Sequence, residues 1–309
     1  MYTKREFPLK MILRFTSLNI LAFALLSSSV VAAYQYLHFK MIAIPFLPVS
    51  MIGAALAFYL GFKNNSSYDR LWEARKIWGG IVNDSRAWTA MLNAYLNPVN
   101  DESLSESALS EIRHELAKRH LAWIYAHKFQ LRHKRMSWEH NLSHNNLYRE
   151  KFQQAFGIGT DLKTDLQRYL QPAEADAVMA CANPAAQILN NQSLALKKLR
   201  QTDVIEDFRL FEMQNHLNKL FEHQGKNERI KNFPFPRQYS MMVSLSVNIF
   251  CFLLPFGLIS EMGSKGDLYV WLTVPFSVLI SWVYFFMEMN SDYCENPFEG
   301  LINDVPIPA

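Results

Sequence analysis

The stretch AFYLGFKNNSSYDRLWEARKIWGG, residues 57–80, joins two kinds of sequence. Its first six residues carry no charge, whereas charged side chains are frequent from Lys63 onward. The stretch contains no proline, and Gly61 is its one glycine before the pair Gly79-Gly80. Because helix-breaking residues are rare here, the stretch predicts one helix that leaves an apolar environment and continues into a polar one.

Four long apolar windows predict four membrane-spanning helices. Each window lacks Asp, Glu, Lys and Arg and has about the 20 residues needed to cross a hydrocarbon core of about 30 Å. The mean hydropathy of the 309-residue chain is −0.06, which conceals the windows because the apolar residues are clustered. The windows are Phe15–Phe39, Met41–Phe62, Gln238–Ser260 and Leu268–Met287.

The first window does not resemble a cleaved signal peptide. It is longer than the apolar core of such a peptide, and a second apolar window follows it almost directly. The three cysteines, Cys181, Cys251 and Cys294, are scattered and odd in number. That usage is typical of a reducing compartment and not of a disulfide scaffold.

Positively charged residues flank the windows unevenly and predict the orientation of the chain. They precede the first window, follow the second and precede the third, whereas the two turns on the opposite side hold only Lys40 and Lys265. The positive-inside rule therefore predicts a multi-pass membrane protein with both termini and the middle segment in the cytoplasm. The flanking residues are Lys4, Arg5, Lys10, Arg14, Lys63, Arg70, Arg75, Lys76, Arg229, Lys231 and Arg237.

The middle segment, residues 63–236, has helical periodicity. Its apolar residues recur at helical steps, and alternating strand patterns are missing. The predicted class is all-α, with four transmembrane helices and a helical cytosolic domain. The stripes are Leu109, Ile112, Leu116, Trp123 and His127; Leu162, Leu166 and Leu170; Leu189, Leu196 and Leu199; and Leu210, Met213, Leu217 and Leu220.

No constellation in the sequence supports an enzyme. The sequence lacks a P-loop, a dinucleotide fingerprint and a nucleophile elbow. His140 and His144 stand at i and i+4, but the surrounding HNLSHNN is more typical of a solvated loop than of a metal site. The basic residues follow the membrane boundaries, so we expect no nucleic-acid partner.

Ala54, Phe58 and Phe62 lie on one face of the second predicted helix. This face either packs against another helix or, if several copies of the helix surround an axis, lines a narrow apolar throat of the kind that gates by dewetting. Pro45 and Pro48 at the start of the span suggest a bent or broken helix, which is tolerated beside a water-filled cavity.

Three motifs resemble those of the bestrophin family of ion channels, especially its prokaryotic branch. They are YLGFKNNSSYDRLWEARKIWG (59–79), FCFLLPFGL (250–258) and ENPFEGLINDVP (295–306), and their order and spacing fit over nearly the whole chain. The resemblance implies a homopentamer around one axial pore. The second span of each subunit would line this pore in the membrane, and a helical vestibule would continue it in the cytosol.

On this resemblance the chain divides into four segments. Residues 1–62 hold the N-terminal segment and the first two spans, with the pore helix at 41–62. Residues 63–236 form the helical cytosolic domain, and residues 237–288 hold the last two spans. Residues 289–309 form a cytosolic C-terminal strap.

The resemblance also implies two constrictions. The hydrophobic neck of the family carries over onto Ala54, Phe58 and Phe62, and Ala54 stands where many relatives carry a larger aliphatic residue. The cytosolic constriction of the family falls, by spacing, on Phe208. Ordinary core packing is the alternative role for Phe208.

The resemblance implies only part of a calcium site. Asn296, Pro297 and Phe298 match part of the calcium clasp of eukaryotic relatives, but the acidic cluster that follows is reduced to Glu299 and Asp304. Calcium takes six or more oxygen ligands, often from several carboxylates. We therefore expect no high-affinity site and no certain cofactor, with Asn296 and Asp304 as weak metal candidates.

The leading hypothesis is a channel that passes small monovalent ions passively, and the family is best known for chloride and other anions. The charges leave selectivity open: Asp203, Glu206 and Asp207 beside Phe208 favour cations, whereas Lys40 near the outer mouth favours anions. The alternatives are a cation (Na⁺/K⁺) channel of the same fold and a membrane-anchored signalling or scaffold protein without flux. Expected partners are further copies of the chain, the permeant ions and membrane lipid.

Overall fold

The computed structural model describes residues 9–97, 105–133, 161–301 and 303–307. Regular structure in these ranges is helical throughout, which confirms the all-α prediction for them. His140 and His144 lie outside the described residues. The helices are α1 (Leu9–Gln35), α2 (Phe46–Tyr95), α3 (Glu106–His133), α4 (Leu162–Gln167), α5 (Pro172–Met179), α6 (Pro184–Gln201), α7 (Asp207–Asn232), α8 (Arg237–Gly263), α9 (Asp267–Val270) and α10 (Thr273–Glu295), with a 3₁₀ turn at Lys40–Ile42.

The chain forms two compact units. The first comprises Met1–Leu71 and Pro234–Asn296, and the second comprises Trp72–Phe233 and Pro297–Ala309. The boundary between Leu71 and Trp72 falls inside α2, so this helix contributes to both units.

Helix α2 continues without interruption through residues 57–80, as the sequence predicts. It has 50 residues and begins at Phe46. Pro45 therefore precedes the helix, and Pro48 lies in its first turn. Neither proline interrupts α2 itself, because a proline in the first turn removes an N–H that has no intrahelical partner. The predicted span of residues 41–62 is nevertheless broken at its start, since a 3₁₀ turn at Lys40–Ile42 is followed by non-helical residues up to Pro45.

Four helical segments of the described chain are long and apolar enough to cross a bilayer, which confirms the prediction that this is a membrane protein. They coincide with α1, α2, α8 and the region of α9 and α10. Their limits are Phe15–Gln35, Lys40–Tyr95, Arg237–Gly263 and Asp267–Glu295.

Helices α2 and α8 pack closely in the first unit. Leu56 and Leu60 of α2 belong to a buried cluster that also contains Val247 of α8. At Gly53, a Cβ atom would lie 2.7 Å from the ring of Phe250, so a larger residue would require that ring or the helix backbones to shift. One side of α2 is thus fixed against its own chain, and the opposite side is available for other contacts.

The second unit is a helical core in which α3, α6 and α7 pack together. The predicted apolar stripes supply this core, because most of their members are buried. The buried members are Leu109, Leu116, Trp123, His127, Leu162, Leu166, Leu170, Leu189, Leu196, Met213, Leu217 and Leu220.

Stacked tryptophan and histidine rings cross this core. Trp123 stacks on His127 with centroids 6.0 Å apart and ring planes 1° apart. Trp88 stacks on both His120 and His216.

Burial lowers the pKa of His127 to about 3 and the pKa of His120 to about 4. Both histidines are therefore neutral in the folded protein at pH 5 and above.

We expect acidification to destabilise the second unit through these two histidines. An unfolded histidine with a pKa of about 6.5 binds a proton at pH 5, whereas folded His127 and His120 do not. Their stability contribution is therefore complete above pH 6.5 and falls with the pH, by about 2 kcal/mol for each histidine at pH 5. The fluorescence of Trp78, Trp88 and Trp123 reports unfolding of the detergent-solubilised protein at each pH.

The variant His127→Gln isolates one histidine, because all other titrating groups remain. Between pH 7.5 and pH 5 we expect it to lose about 2 kcal/mol less stability than the wild type. His114→Gln is the matched control, because His114 is exposed on the same helix, α3. An unchanged pH dependence in His127→Gln would show that His127 does not titrate as described.

Candidate functional site

The face of α2 that carries Ala54, Phe58 and Phe62 is directed away from the core of its own chain. Phe58 is 73% exposed and Phe62 is 65% exposed. Ala54 is also exposed, whereas Leu56 and Leu60 on the other side of the helix are buried. Packing within the chain is therefore not the role of this face. Its assignment as a pore neck stays a prediction.

The exposed face of α2 changes from apolar to polar directly after Phe62. One helical turn beyond Phe62 the exposed residues are Asn65 and Ser66, and the next turn exposes Asp69. An apolar constriction that opens into water requires this sequence of side chains.

The buried side chain of Lys63 fixes the orientation of α2 about its own axis. Lys63 lies at the point where the exposed face of the helix changes from apolar to polar. The side chain of Lys63 is 0% exposed. Its Nζ lies 2.7 Å from Oδ1 of Asp292 and 3.2 Å from Oε1 of Glu288, both on α10. Two carboxylates compensate the buried ammonium, so the pair of helices avoids an isolated charge in the interior.

Further hydrogen bonds extend this contact along both helices, and we call the whole set the polar seam. Ser67 and Ser291 are 3.0 Å apart at their Oγ atoms, and Asn64 Nδ2 donates to the carbonyl of Met287 at 3.1 Å. The Nε of Arg70 donates to the carbonyl of Glu295 at 3.0 Å. The seam comprises Lys63, Asn64, Ser67 and Arg70 of α2 with Met287, Glu288, Ser291, Asp292 and Glu295 of α10.

Sequence reasoning did not identify the polar seam. It assigned Lys63 and Arg70 to the charges that flank a membrane span. The partners of Lys63 are 225 and 229 residues away in the chain, so local spacing could not reveal them. The detectable signal is a short run of polar residues on α10, Glu288 to Asp292, directly after an uncharged window.

Phe208 lies in the first turn of α7 and is 85% exposed. Met213, Leu217 and Leu220 of the same helix are buried in the core of the second unit. The core-packing alternative for Phe208 is therefore wrong for this chain. Its assignment as a cytosolic constriction is not tested by its exposure alone and remains a prediction.

The three acidic residues beside Phe208 have arginine partners. Asp203 Oδ1 lies 2.7 Å from Arg200 Nη1, and Asp207 also pairs with Arg200. Glu206 lies 3.5 Å from Nε of Arg209. Each of the three carboxylates therefore lies beside a guanidinium group, and their role as vestibule charges that favour cations stays a prediction.

The reduced calcium clasp does not fit a calcium ion. Arg132 Nη1 donates to Asp304 Oδ2 at 3.2 Å, and Lys231 Nζ lies 2.8 Å from Glu299 Oε1. These cationic side chains already neutralise the two carboxylates, which are both buried. Burial raises the pKa of Asp304 to about 6 against the opposing effect of Arg132. The described residues contain no group of three metal-ligating His, Cys, Asp or Glu side chains.

Asn296 has a structural contact of its own. It is buried in the first unit, and its Nδ2 donates to Oε1 of Glu295 at 3.2 Å. That carboxylate also pairs with Arg237 at 3.0 Å. Asn296 therefore hydrogen-bonds to the last residue of α10, and this contact needs no metal.

We expect calcium to leave the stability of the protein unchanged. A site with a Kd of about 10 µM would add about 2.7 kcal/mol at 1 mM calcium, which is readily measured as a shift in the unfolding midpoint. Unfolding of the detergent-solubilised protein in 1 mM calcium and in excess EGTA should give the same midpoint within 1 °C. A calcium-dependent increase that Asp304→Asn abolishes would contradict this assignment.

The family relationship follows from comparison with known proteins. The family described as Bacterial/Fungal Bestrophin protein matches residues 10–309. A Ralstonia nicotianae relative named voltage-dependent anion channel-forming protein is 30% identical, over 92% of this chain and 80% of the relative. A Mesorhizobium japonicum relative of the same name is 27% identical, over 94% and 79%.

Solved structures agree with this relationship. The crystal structure of a bacterial bestrophin homologue from Klebsiella pneumoniae superimposes with a TM-score of 0.76 at 26% identity, over 93% of this chain and 91% of that chain. The chain therefore belongs to the bacterial and fungal bestrophin family.

Proposed function

We propose that the protein is a passive channel for chloride and other small monovalent anions in the bacterial inner membrane. It assembles as a homopentamer around one axial pore. The observation that carries this proposal is the exposed face of α2, where Phe58 and Phe62 are followed by Asn65, Ser66 and Asp69. When this face is repeated around an axis, it forms a narrow apolar constriction that opens into a water-filled vestibule.

Names of relatives support the choice of anions. The Ralstonia, Mesorhizobium and Escherichia coli relatives are each named voltage-dependent anion channel-forming protein. The positive-inside bias places both termini and residues 63–236 in the cytoplasm. The division into residues 1–62, 63–236, 237–288 and 289–309 belongs to the same proposal.

The neck works by excluding water. Rings of Phe58 and Phe62 make the pore narrow and apolar, and Ala54 leaves its outer part wider. An ion that enters this throat loses hydration without gaining a charged ligand, so passage has a barrier that depends on the width of the neck. Lys63 does not supply a charge there, because it is buried against α10.

A cation channel of the same fold is the second candidate, and one observation favours it. Around the turn before α7, three carboxylates pair with two guanidinium groups, so these five groups have a net charge of −1 in each chain beside Phe208, while Lys198 also lies in the last turn of α6. A ring of net negative charge concentrates cations. The direction of the reversal potential in a salt gradient separates the two candidates.

Purified protein in liposomes provides the test. We expect chloride efflux that depends on the protein, together with a cross-linking ladder that ends at five subunits. A membrane-anchored scaffold would give no efflux from a folded oligomer, and that result would overturn the proposal. A ladder that ends at two subunits would overturn the pentameric pore.

A further inference from the structure

The turn between α6 and α7 holds its charged residues in a defined arrangement. Val204 and Ile205 are buried and anchor the turn in the second unit. Asp203 has a φ of 54°, in the left-handed region, and its N–H donates to the carbonyl of Arg200 at 3.1 Å. Aspartate is one of the few residues that adopt this conformation readily. The turn therefore keeps the carboxylate of Asp203 next to the last turn of α6.

Arg200 occupies the centre of this arrangement. Its Nη1 donates to Asp203, and its Nε and Nη2 both donate to the carboxylate of Asp207. Such a two-pronged contact fixes the planar guanidinium more firmly than a single hydrogen bond would. The hydrogen bonds lower the pKa of Asp207 and raise the pKa of Arg200, so both of these groups are charged at neutral pH.

The charge around Phe208 depends on this one arginine. With Arg200 present, the three carboxylates of the turn face two guanidinium groups, those of Arg200 and Arg209. Without Arg200, the three carboxylates and Arg209 carry a net charge of −2 in place of −1, while Lys198, the other basic residue in the last turn of α6, is unchanged. Phe208 directly follows Asp207, and both side chains are exposed. Ions that pass Phe208 would therefore encounter the change at close range.

We propose that Arg200 is a selectivity-determining residue, which offsets the carboxylates of Asp203 and Asp207 beside Phe208 so that anions can pass. This inference rests on the proposed channel function and on Phe208 as its cytosolic constriction. In a pentamer the contribution of Arg200 is repeated five times around the axis, so a weak effect in one chain becomes a strong local potential. The role depends on the charge of Arg200 and not on the stability that its exposed ion pairs provide, which is small.

Ion permeability ratios measured across a KCl gradient test this role. We expect Arg200→Gln to lower the chloride-to-potassium permeability ratio by about threefold or more. Asp207→Asn should raise the ratio. The double variant Arg200→Gln/Asp207→Asn restores the wild-type net charge of the turn and should return the ratio towards the wild-type value. Arg200→Lys keeps the charge and should keep the ratio.

Lys226→Gln is the matched control. Lys226 forms an exposed ion pair with Glu222 on α7, 18 residues or about 27 Å along the helix from Phe208. This variant removes one positive charge from the same helical unit, so it should leave the ratio unchanged. The shift in Arg200→Gln should also shrink at high ionic strength, because salt screens the exposed turn.

The outcomes distinguish this inference from the channel proposal. If Arg200→Gln conducts with the wild-type permeability ratio, the role of Arg200 is wrong and the channel proposal stands. If Lys226→Gln shifts the ratio as strongly as Arg200→Gln, the effect comes from total charge, and the role of Arg200 is again wrong. If the folded wild-type oligomer passes no ions, both proposals fail.

Discussion

Phe58→Ala is expected to raise chloride efflux from liposomes by about tenfold. Truncating an exposed ring on the apolar face of α2 widens the neck and lets water enter it. A tenfold rise corresponds to a barrier lower by about 1.4 kcal/mol, a modest change for a site repeated in every subunit. Phe62→Ala should act in the same direction, because Phe62 lies one turn further along the same face.

Phe252→Ala is the control for this prediction. Phe252 is also an exposed phenylalanine in an apolar span, but it lies on α8. Its truncation removes the same apolar volume and should leave efflux unchanged. Equal efflux in the wild type, Phe58→Ala and Phe62→Ala would mean that the exposed face of α2 does not line the pore.

Lys63→Met is expected to destabilise the protein by about 3–5 kcal/mol. The substitution keeps an apolar stem of similar length but leaves the carboxylates of Glu288 and Asp292 without their cation in the interior. Such an unpaired buried charge costs far more than the salt bridge itself contributes. Unfolding of the detergent-solubilised protein by heat or denaturant measures the loss.

Two further variants show whether charge pairing is the cause. The triple variant Lys63→Met/Glu288→Gln/Asp292→Asn removes all three charges and should recover much of the stability, because neutral replacement of a whole buried ion cluster is often tolerated. Lys40→Met replaces an exposed lysine and should change stability by less than about 0.5 kcal/mol. A triple variant as unstable as Lys63→Met would contradict the electrostatic explanation.

The membrane helices could be predicted from the sequence because their signal is local. A window of about 20 uncharged residues is decisive by itself. The periodicity of Ala54, Phe58 and Phe62 likewise predicts a shared face from spacing alone, and the structure places all three on the exposed side of α2. The point at which α2 begins, after Pro45, could not be predicted, because one helical turn decides whether a proline interrupts a helix or begins it, and composition does not fix that boundary.

The polar seam and the stacked rings could not be predicted, because they depend on contacts distant in sequence. Lys63 meets residues more than 220 positions away. His127 was placed correctly on the buried stripe of α3 together with Trp123, on which it stacks, but its second stacking partner, Trp78, belongs to α2. The pairing of Arg200 with Asp207 depends on a turn whose left-handed residue, Asp203, has no unique sequence signature.

The direction of the current in a salt gradient tests the central claim most directly. Wild-type oligomer is reconstituted into liposomes or a planar bilayer with a tenfold KCl gradient, and the reversal potential is recorded. An anion channel lined by α2 predicts a reversal potential close to the chloride equilibrium potential. A reversal potential close to that of potassium, or no current from either the wild type or Phe58→Ala, would contradict it.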